Sequence, residues 1–393
     1  MRLLSLTVAA LLVACELPPP SALEAEAGEC DAGPLLSLAG QPHLVLVNAY
    51  YLQEESARAV RRGLSQCAEL EETLRKARAL GVTVIRTLAF NDGEDKRGDS
   101  AIQLDKLRYD EVAFRGLDLV LARAQAHGVR LVMPLGNYWN DYGGARRYAG
   151  WAGLADPVEG DPRFFTERAV IDHYKAHVRL LLDRVNTIDG QRYGDHPAVL
   201  AWELLNEPRN RGLDGRGDAL RSWIDEVGGA IKEHTSKPLT TGEEGFDASA
   251  GYDPALSRDG HFGRHLESPA VDFGSIHFFP ESWGVPPERT ARAGATWLRE
   301  HMAAARRIGK PLLLGELGLR NDGIFSLEER RAMIRGWLRC ARRTGLAGAG
   351  LWMFAYDARP DAWDRHTFYF RDGTEPGDPL NRYADLVAEA AER

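Results

Sequence analysis

From residue 43 onward, the chain alternates short runs of apolar residues with longer stretches whose apolar positions recur every three or four residues. The short runs read as strands. They are 43–50 (HLVLVNAY), 82–90 (VTVIRTLAF), 129–137 (VRLVMPLGN), 199–208 (VLAWELLNEP), 238–244 (PLTTGEE), 273–280 (FGSIHFFP), 311–318 (PLLLGELG) and 347–355 (AGAGLWMFA). The amphipathic stretches predict a helix after the first strand running to about residue 79. Others follow near 104–127, 166–188, 218–235, 289–308, 327–344 and 381–392. Runs of Val, Ile and Leu with little alternation suit parallel strands covered on both faces. Gly81, Gly128 and Gly309 each stand just before a strand, where a left-handed helix cap is needed. Eight such units predict an α/β fold, a (β/α)8 TIM barrel over 41–393 with enlarged loops after the strands. A doubly wound open sheet would carry a glycine-rich phosphate loop after its first strand, and VNAYYLQEE has none.

The first 40 residues differ in character. Residues 1–14 (MRLLSLTVAALLVA) have one Arg and then an apolar run too short to span a bilayer, which reads as an export signal. The signal ends in Leu12-Val13-Ala14-Cys15, which resembles the bacterial lipoprotein signal. That resemblance implies lipidation of Cys15 and an exported protein held to a membrane or cell surface; an ordinary cleaved signal would give a secreted one. Residues 15–40, rich in Pro, Ala, Glu and Gly, predict a flexible tether. Three further cysteines, Cys30, Cys67 and Cys340, leave one thiol unpaired in any pairing and match no metal-site spacing. The formal charge of −8 gives no basic footprint, so nucleic acid is not expected as a partner.

In a barrel of this kind the chemistry sits where the strands end. Here those ends hold Asn48 and Tyr50, Arg86, Asn137, Asn206 and Glu207, Glu243 and Glu244, His277, Glu316, and Trp352. The period of two puts Glu203, Leu205 and Glu207 on one face of the fourth strand. If that face points inward, Glu203 lies a layer below Glu207, with Arg86 as a partner. Carboxylates ending strands four and seven would face each other across the mouth. Glycoside hydrolysis requires such a pair, one proton donor and one nucleophile or base.

AWELLNEPR, followed about a hundred residues later by GELG, resembles glycoside hydrolase family 5, and several stretches resemble its β-mannanase branch. These are VNAYYL, IRTLAFNDG, YWNDYGGARRYAGW, the run FFTERAVIDHYKAHVRLLLDRVNTIDGQRYGDHPAVLAWELLNEPR, TGEEGF and IHFFPESWG, together spanning about residues 43–352. The resemblance implies a retaining hydrolase with Glu207 as acid/base and Glu316 as nucleophile, their carboxyl groups roughly 5–5.5 Å apart. It implies that Asn206 binds the sugar 2-hydroxyl and that Arg86 holds Glu316 ionised. His277 would belong to the network around the pair, and Trp352 would form the floor beneath the sugar. Trp139 and Trp283, in loops after strands three and six, are expected as sugar platforms, and Tyr50 and Glu244 as further substrate contacts. The expected substrate is β-mannan or a related plant polysaccharide, cleaved by a monomer without metal or organic cofactor. A β-glucan or xyloglucan hydrolase of the same family, or a weakened glycan-binding lipoprotein, are the alternatives.

One position departs from the branch. Its pattern after strand six is His-x-Tyr, and here it is His277-Phe278-Phe279. The missing hydroxyl would donate to the nucleophile; Tyr369 is a candidate substitute.

Overall fold

A computed structural model of the chain describes residues 17–41, 43–93, 99–248, 260–320, 322–356 and 366–370, with the backbone alone at 356 and 368–370. Eight strands form one parallel sheet: β1 (Leu44–Asn48), β2 (Val84–Arg86), β3 (Arg130–Pro134), β4 (Val199–Glu203), β5 (Leu239–Thr240), β6 (Gly274–Phe278), β7 (Leu312–Leu317) and β8 (Gly348–Leu351). Neighbours in sequence are neighbours in space, and β8 returns to pair with β1 in register from Leu44↔Gly348 to Val47↔Leu351. The seam between β5 and β6 is bridged by Asp272 N–H to Leu239 O (2.8 Å) and His277 N–H to Glu244 O (2.9 Å). The expected barrel is therefore present.

The strands are shorter than the apolar runs that announced them, because each run continues past the last ladder bond into the loop that carries chemistry. Inside the barrel Leu44, Leu46, Val84, Val132, Ala201 and Leu313 form an apolar plug. Two residues further along β1, β2 and β4, the inward positions become Asn48, Arg86 and Glu203. The change from apolar to polar within one strand period marks the floor of the site.

The outer helices include α1 (Pro20–Ala27), α2 (Leu52–Arg61), α3 (Ala68–Ala79), α4 (Glu111–Ala126), α5 (Arg168–Asp183), α6 (Asp218–Lys232), α7 (Pro287–Ile308) and α8 (Leu327–Arg343). The single helix expected after β1 is split into α2 and α3, because the chain turns at Gly63, whose φ is 78°. The helix expected from residue 104 begins at Glu111. A short hairpin over 103–109 precedes it, and the Asp110 side chain caps it by accepting from Val112 and Ala113 N–H. The helix expected near 381–392 lies outside the described residues.

The tether expected over 15–40 is corrected from residue 17 onward. Leu23 and Ala27 of α1 are buried against the barrel. Gly336 of α8 makes the close approach possible, since a Cβ there would stand 2.5 Å from Ala27 Cβ. Glu24 pairs with Arg335 and with Arg339, the latter at 2.5 Å. A disulfide joins Cys30 to Cys340 with Cα atoms 5.3 Å apart, and Cys67 stays a buried free thiol pushed up to about 12 by burial. Composition suggested a linker, but a short helix with two buried apolar residues and a cross-link was enough to dock it.

Because the disulfide closes a 310-residue separation, it constrains the unfolded chain strongly. Replacing Cys30 with Ser should lower the unfolding free energy by about 2–5 kcal/mol in denaturant titrations. The same loss should appear in the parent on adding reductant, and the variant should no longer respond to reductant.

Candidate active site

Arg86, at the end of β2 and 2% exposed, is the hub. Its Nε and Nη2 donate to Glu203 Oε2 at 2.9 and 2.8 Å. Nη1 donates to Glu316 Oε1 at 2.5 Å and to Asn48 Oδ1 at 3.3 Å, and Nη2 reaches Asn206 Oδ1 at 2.7 Å. The planar fork of a guanidinium suits this, where a lysine could serve only one direction well. Asn206 is oriented at both ends, because its Nδ2 donates to Asn137 Oδ1 at 3.0 Å.

Past β4 the backbone turns sharply at Glu207, which has φ of 52°, a left-handed conformation that a residue with a Cβ adopts at some cost. Hydrogen bonds from Asn206 N–H to Gly136 O and from Glu207 N–H to Gly242 O hold the turn on both sides. The turn aims the carboxyl group across the mouth. Glu207 Oε2 accepts from Trp139 Nε1 at 2.6 Å, and Oε1 lies 2.7 Å from His277 Nδ1. The same Nδ1 is 3.6 Å from Glu316 Oε2. One oxygen of Glu207, one of Glu316 and a ring nitrogen of His277 all lie within 4.8 Å of one another. Such closeness suits two carboxylates serving the same bond without a water between them, the retaining geometry. The trio could also reach a metal ion, but a cation on Glu316 would face the Arg86 guanidinium at close range. The set is better suited to sharing a proton.

Burial raises the proton affinity of both Glu207 and Glu316; the Arg86 charge opposes this at Glu316, and Arg209, the Trp139 hydrogen bond and Arg86 oppose it at Glu207. Two carboxylates this close resist joint ionisation, so the pair retains one proton. Arg86 donates directly to Glu316 and not to Glu207, a contact that favours the negative charge on Glu316 and the proton on Glu207. His277 is pushed down to about 3 by burial and by Arg86, so its ring is neutral at ordinary pH. Glu244, 3% exposed, is pushed up to about 7 by burial and by the neighbouring Glu207. Arg209 binds it through two bonds of 2.5 and 2.6 Å.

The aromatic residues divide. Trp352, half-buried, stacks on Tyr50 with centroids 5.4 Å apart and planes at 15°, and Tyr142 meets the Tyr50 ring edge-on at 5.9 Å. Trp139 sits beside the acid itself. Trp283 does not line the mouth: it is 5% exposed, packed on Phe246, Trp297 and Phe278 at 4.8, 5.1 and 5.6 Å. Its loop turns back at once, with Trp283 N–H bonded to Phe279 O and Val285 N–H to Pro280 O, so the indole enters the helix layer. Sequence reasoning missed Arg209, whose guanidinium lies over the Trp139 ring at 4.7 Å. Its place directly after Asn206-Glu207-Pro208 was the available signal.

A model of the family described as GH family 5 beta-mannosidase-like matches residues 32–384. The chain belongs to glycoside hydrolase family 5. Among its relatives in that family, the putative mannan endo-1,4-beta-mannosidase 5 of Oryza sativa subsp. japonica is 36% identical over 329 residues. That match covers 78% of this chain and 65% of the rice protein, so the chain spans just under two thirds of it. The mannan endo-1,4-beta-mannosidase 8 of the same organism is 33% identical over 349 residues, covering 82% and 90%. The solved endo-beta-1,4-mannanase of Thermotoga petrophila superposes with a TM-score of 0.78 at 28% identity, covering 90% of this chain and 77% of that one.

The Trp139 contact favours the ionised form of Glu207. Its loss in Trp139→Phe should therefore raise the proton affinity of Glu207. The basic limb of the pH–activity profile should move up by roughly one unit. A limb that stays put or moves down would show that the indole does not hold the carboxylate.

Proposed function

We propose that the protein is a retaining endo-β-1,4-mannanase acting on mannan, glucomannan or galactomannan. The observation that carries this reading is the asymmetric carboxylate pair, with Arg86 bound to Glu316 and His277 and Trp139 bound to Glu207. In the first step Glu316 attacks the anomeric carbon while Glu207 protonates the departing sugar oxygen. In the second, Glu207 takes a proton from water, which displaces Glu316 and restores the acid. Asn206, fixed between Arg86 and Asn137, presents its amide to the sugar 2-hydroxyl, and the Trp352–Tyr50 stack offers an apolar face to the ring. The relatives' names support the choice of mannan.

Phe279 is half-buried, its ring edge-on to Trp352 at 6.4 Å and to His366 at 5.2 Å, and a Cβ on Gly318 would meet it at 2.4 Å. It fills space beside the nucleophile loop and offers no donor. The Tyr369 side chain, the candidate substitute, lies outside the described residues. We further propose that Cys15 is lipidated and that the protein works as a monomer outside the cytoplasm. The Cys30–Cys340 disulfide fits an oxidising compartment. Intact-mass measurement of the membrane-extracted protein would test the lipid.

Reducing-end assays on mannans, carboxymethyl cellulose and xyloglucan should show mannan cleavage that Glu316→Ala abolishes. Cleavage confined to glucans would keep the mechanism and overturn the substrate, and binding without turnover would overturn the hydrolase reading. Phe279→Tyr should raise kcat, up to about ten- to 150-fold if the restored hydroxyl acts wholly in the transition state. An unchanged kcat would mean that the hydroxyl has no place in this site.

A further inference from the structure

Directly below the catalytic pair, four polar side-chain atoms have no hydrogen-bond partner among the described residues: Glu203 Oε1, Thr240 Oγ1, Ser275 Oγ and His277 Nε2. All four residues are 0% exposed. Glu203 and Thr240 are register partners on β4 and β5, and Ser275 and His277 are two apart on β6, so each pair shares a face. Beside them, on the neighbouring strand β7, is Gly315. A Cβ at Gly315 would stand 2.9 Å from Ser275 Oγ and 3.2 Å from His277 Nε2, so any side chain there would intrude between them. Gly315 thus brings Ser275 Oγ and His277 Nε2 toward one point, and the Glu203 charge acts on the His277 ring, which locates a polar chamber between these strands.

The direction of hydrogen bonding follows from the layer above. Glu207 Oε2 accepts from Trp139, so a proton on Glu207 resides on Oε1 and points at His277 Nδ1. Nδ1 then accepts, and the single proton of the neutral ring is on Nε2. That N–H points into the chamber and needs an acceptor. Glu203 Oε1 is available, since Arg86 engages only Oε2. A water molecule placed between His277 Nε2 and Glu203 Oε1 would satisfy both, as buried waters do where several polar atoms converge. We propose that a buried water occupies this chamber, accepting from His277 Nε2 and donating to Glu203 Oε1, and that Ser275 and Thr240 are positioning residues that hold it.

The consequence reaches the chemistry, and it rests on the hydrolase reading. With the proton kept on Nε2, Nδ1 presents a lone pair to Glu207 and favours its protonated form, which the first step needs. Without the water the other tautomer becomes favourable, and Nδ1–H would donate to the carboxylate and lower its proton affinity. The remaining charged groups around the pair are Arg86 on β2, Glu203 on β4, Arg209 after β4, Glu244 after β5 and Glu316 on β7. None of them is itself replaced in the Ser275 and Thr240 variants, and of these groups only Glu203 would contact the proposed water.

The test compares Ser275→Ala and Thr240→Val with the conservative Ser275→Thr and Thr240→Ser. In the alanine and valine variants the basic limb of the pH profile should move down by about half a unit or more. The conservative pair should retain the parent profile. Nitrogen-15 NMR of the His277 ring reads the tautomer without any turnover, so it separates failure of this proposal from failure of the hydrolase reading. Nε2–H in the parent and a shift toward Nδ1–H in Ser275→Ala are expected. Folded variants with the parent tautomer and the parent limb would overturn the proposal, as would Nδ1–H in the parent.

Discussion

The buried guanidinium of Arg86 is the constraint on which the rest of the site depends. Four neighbours from three other strands and the loop after β4 converge on it: Asn48, Glu203, Glu316 and Asn206. A charge this deep is tolerated only with its full set of partners, and removing one side of such a pair costs about 3–5 kcal/mol. The barrel therefore has to bring β1, β2, β4 and β7 into one register for the arginine to be satisfied. Satisfying it also places Glu316 and orients Asn206. The three-residue strand β2 makes sense in this light. It needs only to pair on both sides and end in Arg86.

The same arginine resolves a chemical problem. Glu207 and Glu316 are the same residue type, a few ångströms apart, and a double displacement needs one of them charged and the other protonated. Burial pushes both toward protonation, and their direct contacts differ. Glu316 has the cation; Glu207 has an indole N–H on one oxygen and a neutral imidazole on the other. The strained φ at Glu207 is the structural cost of this arrangement.

Much of this was legible in the sequence, for physical reasons. Strands reveal themselves by composition and helices by period, so the order of eight units could be read directly. Alternation along AWELLNEPR places Glu203 beneath Glu207, and the Glu203–Arg86 pair lies where that alternation puts it. What could not be read was where loop side chains point. Trp139 and Trp283 are both tryptophans a few residues beyond a strand end, yet one touches the acid and the other joins the core. A chain reversal at Pro280 decides between them, and it depends on tertiary packing rather than on local pattern. The segment over 15–40 was misread for a related reason. Its composition is that of a linker, while its fate is set by Gly336 and Cys340, some three hundred residues away.

Phe279 shows how far such a site can vary. The ring keeps the packing that a tyrosine would provide, against Trp352, His366 and Gly318, so the wall of the site retains its shape. Only a hydrogen-bond donor is lost. At Glu316 the Arg86 contact remains, a charged interaction with more effect on the nucleophile than one neutral hydroxyl. The site therefore keeps its means of dividing charge between the two carboxylates, and the substitution affects the stabilisation of one of them. On the proposed mechanism, Phe279 would bear on the rate and leave the division of charge between the two carboxylates intact.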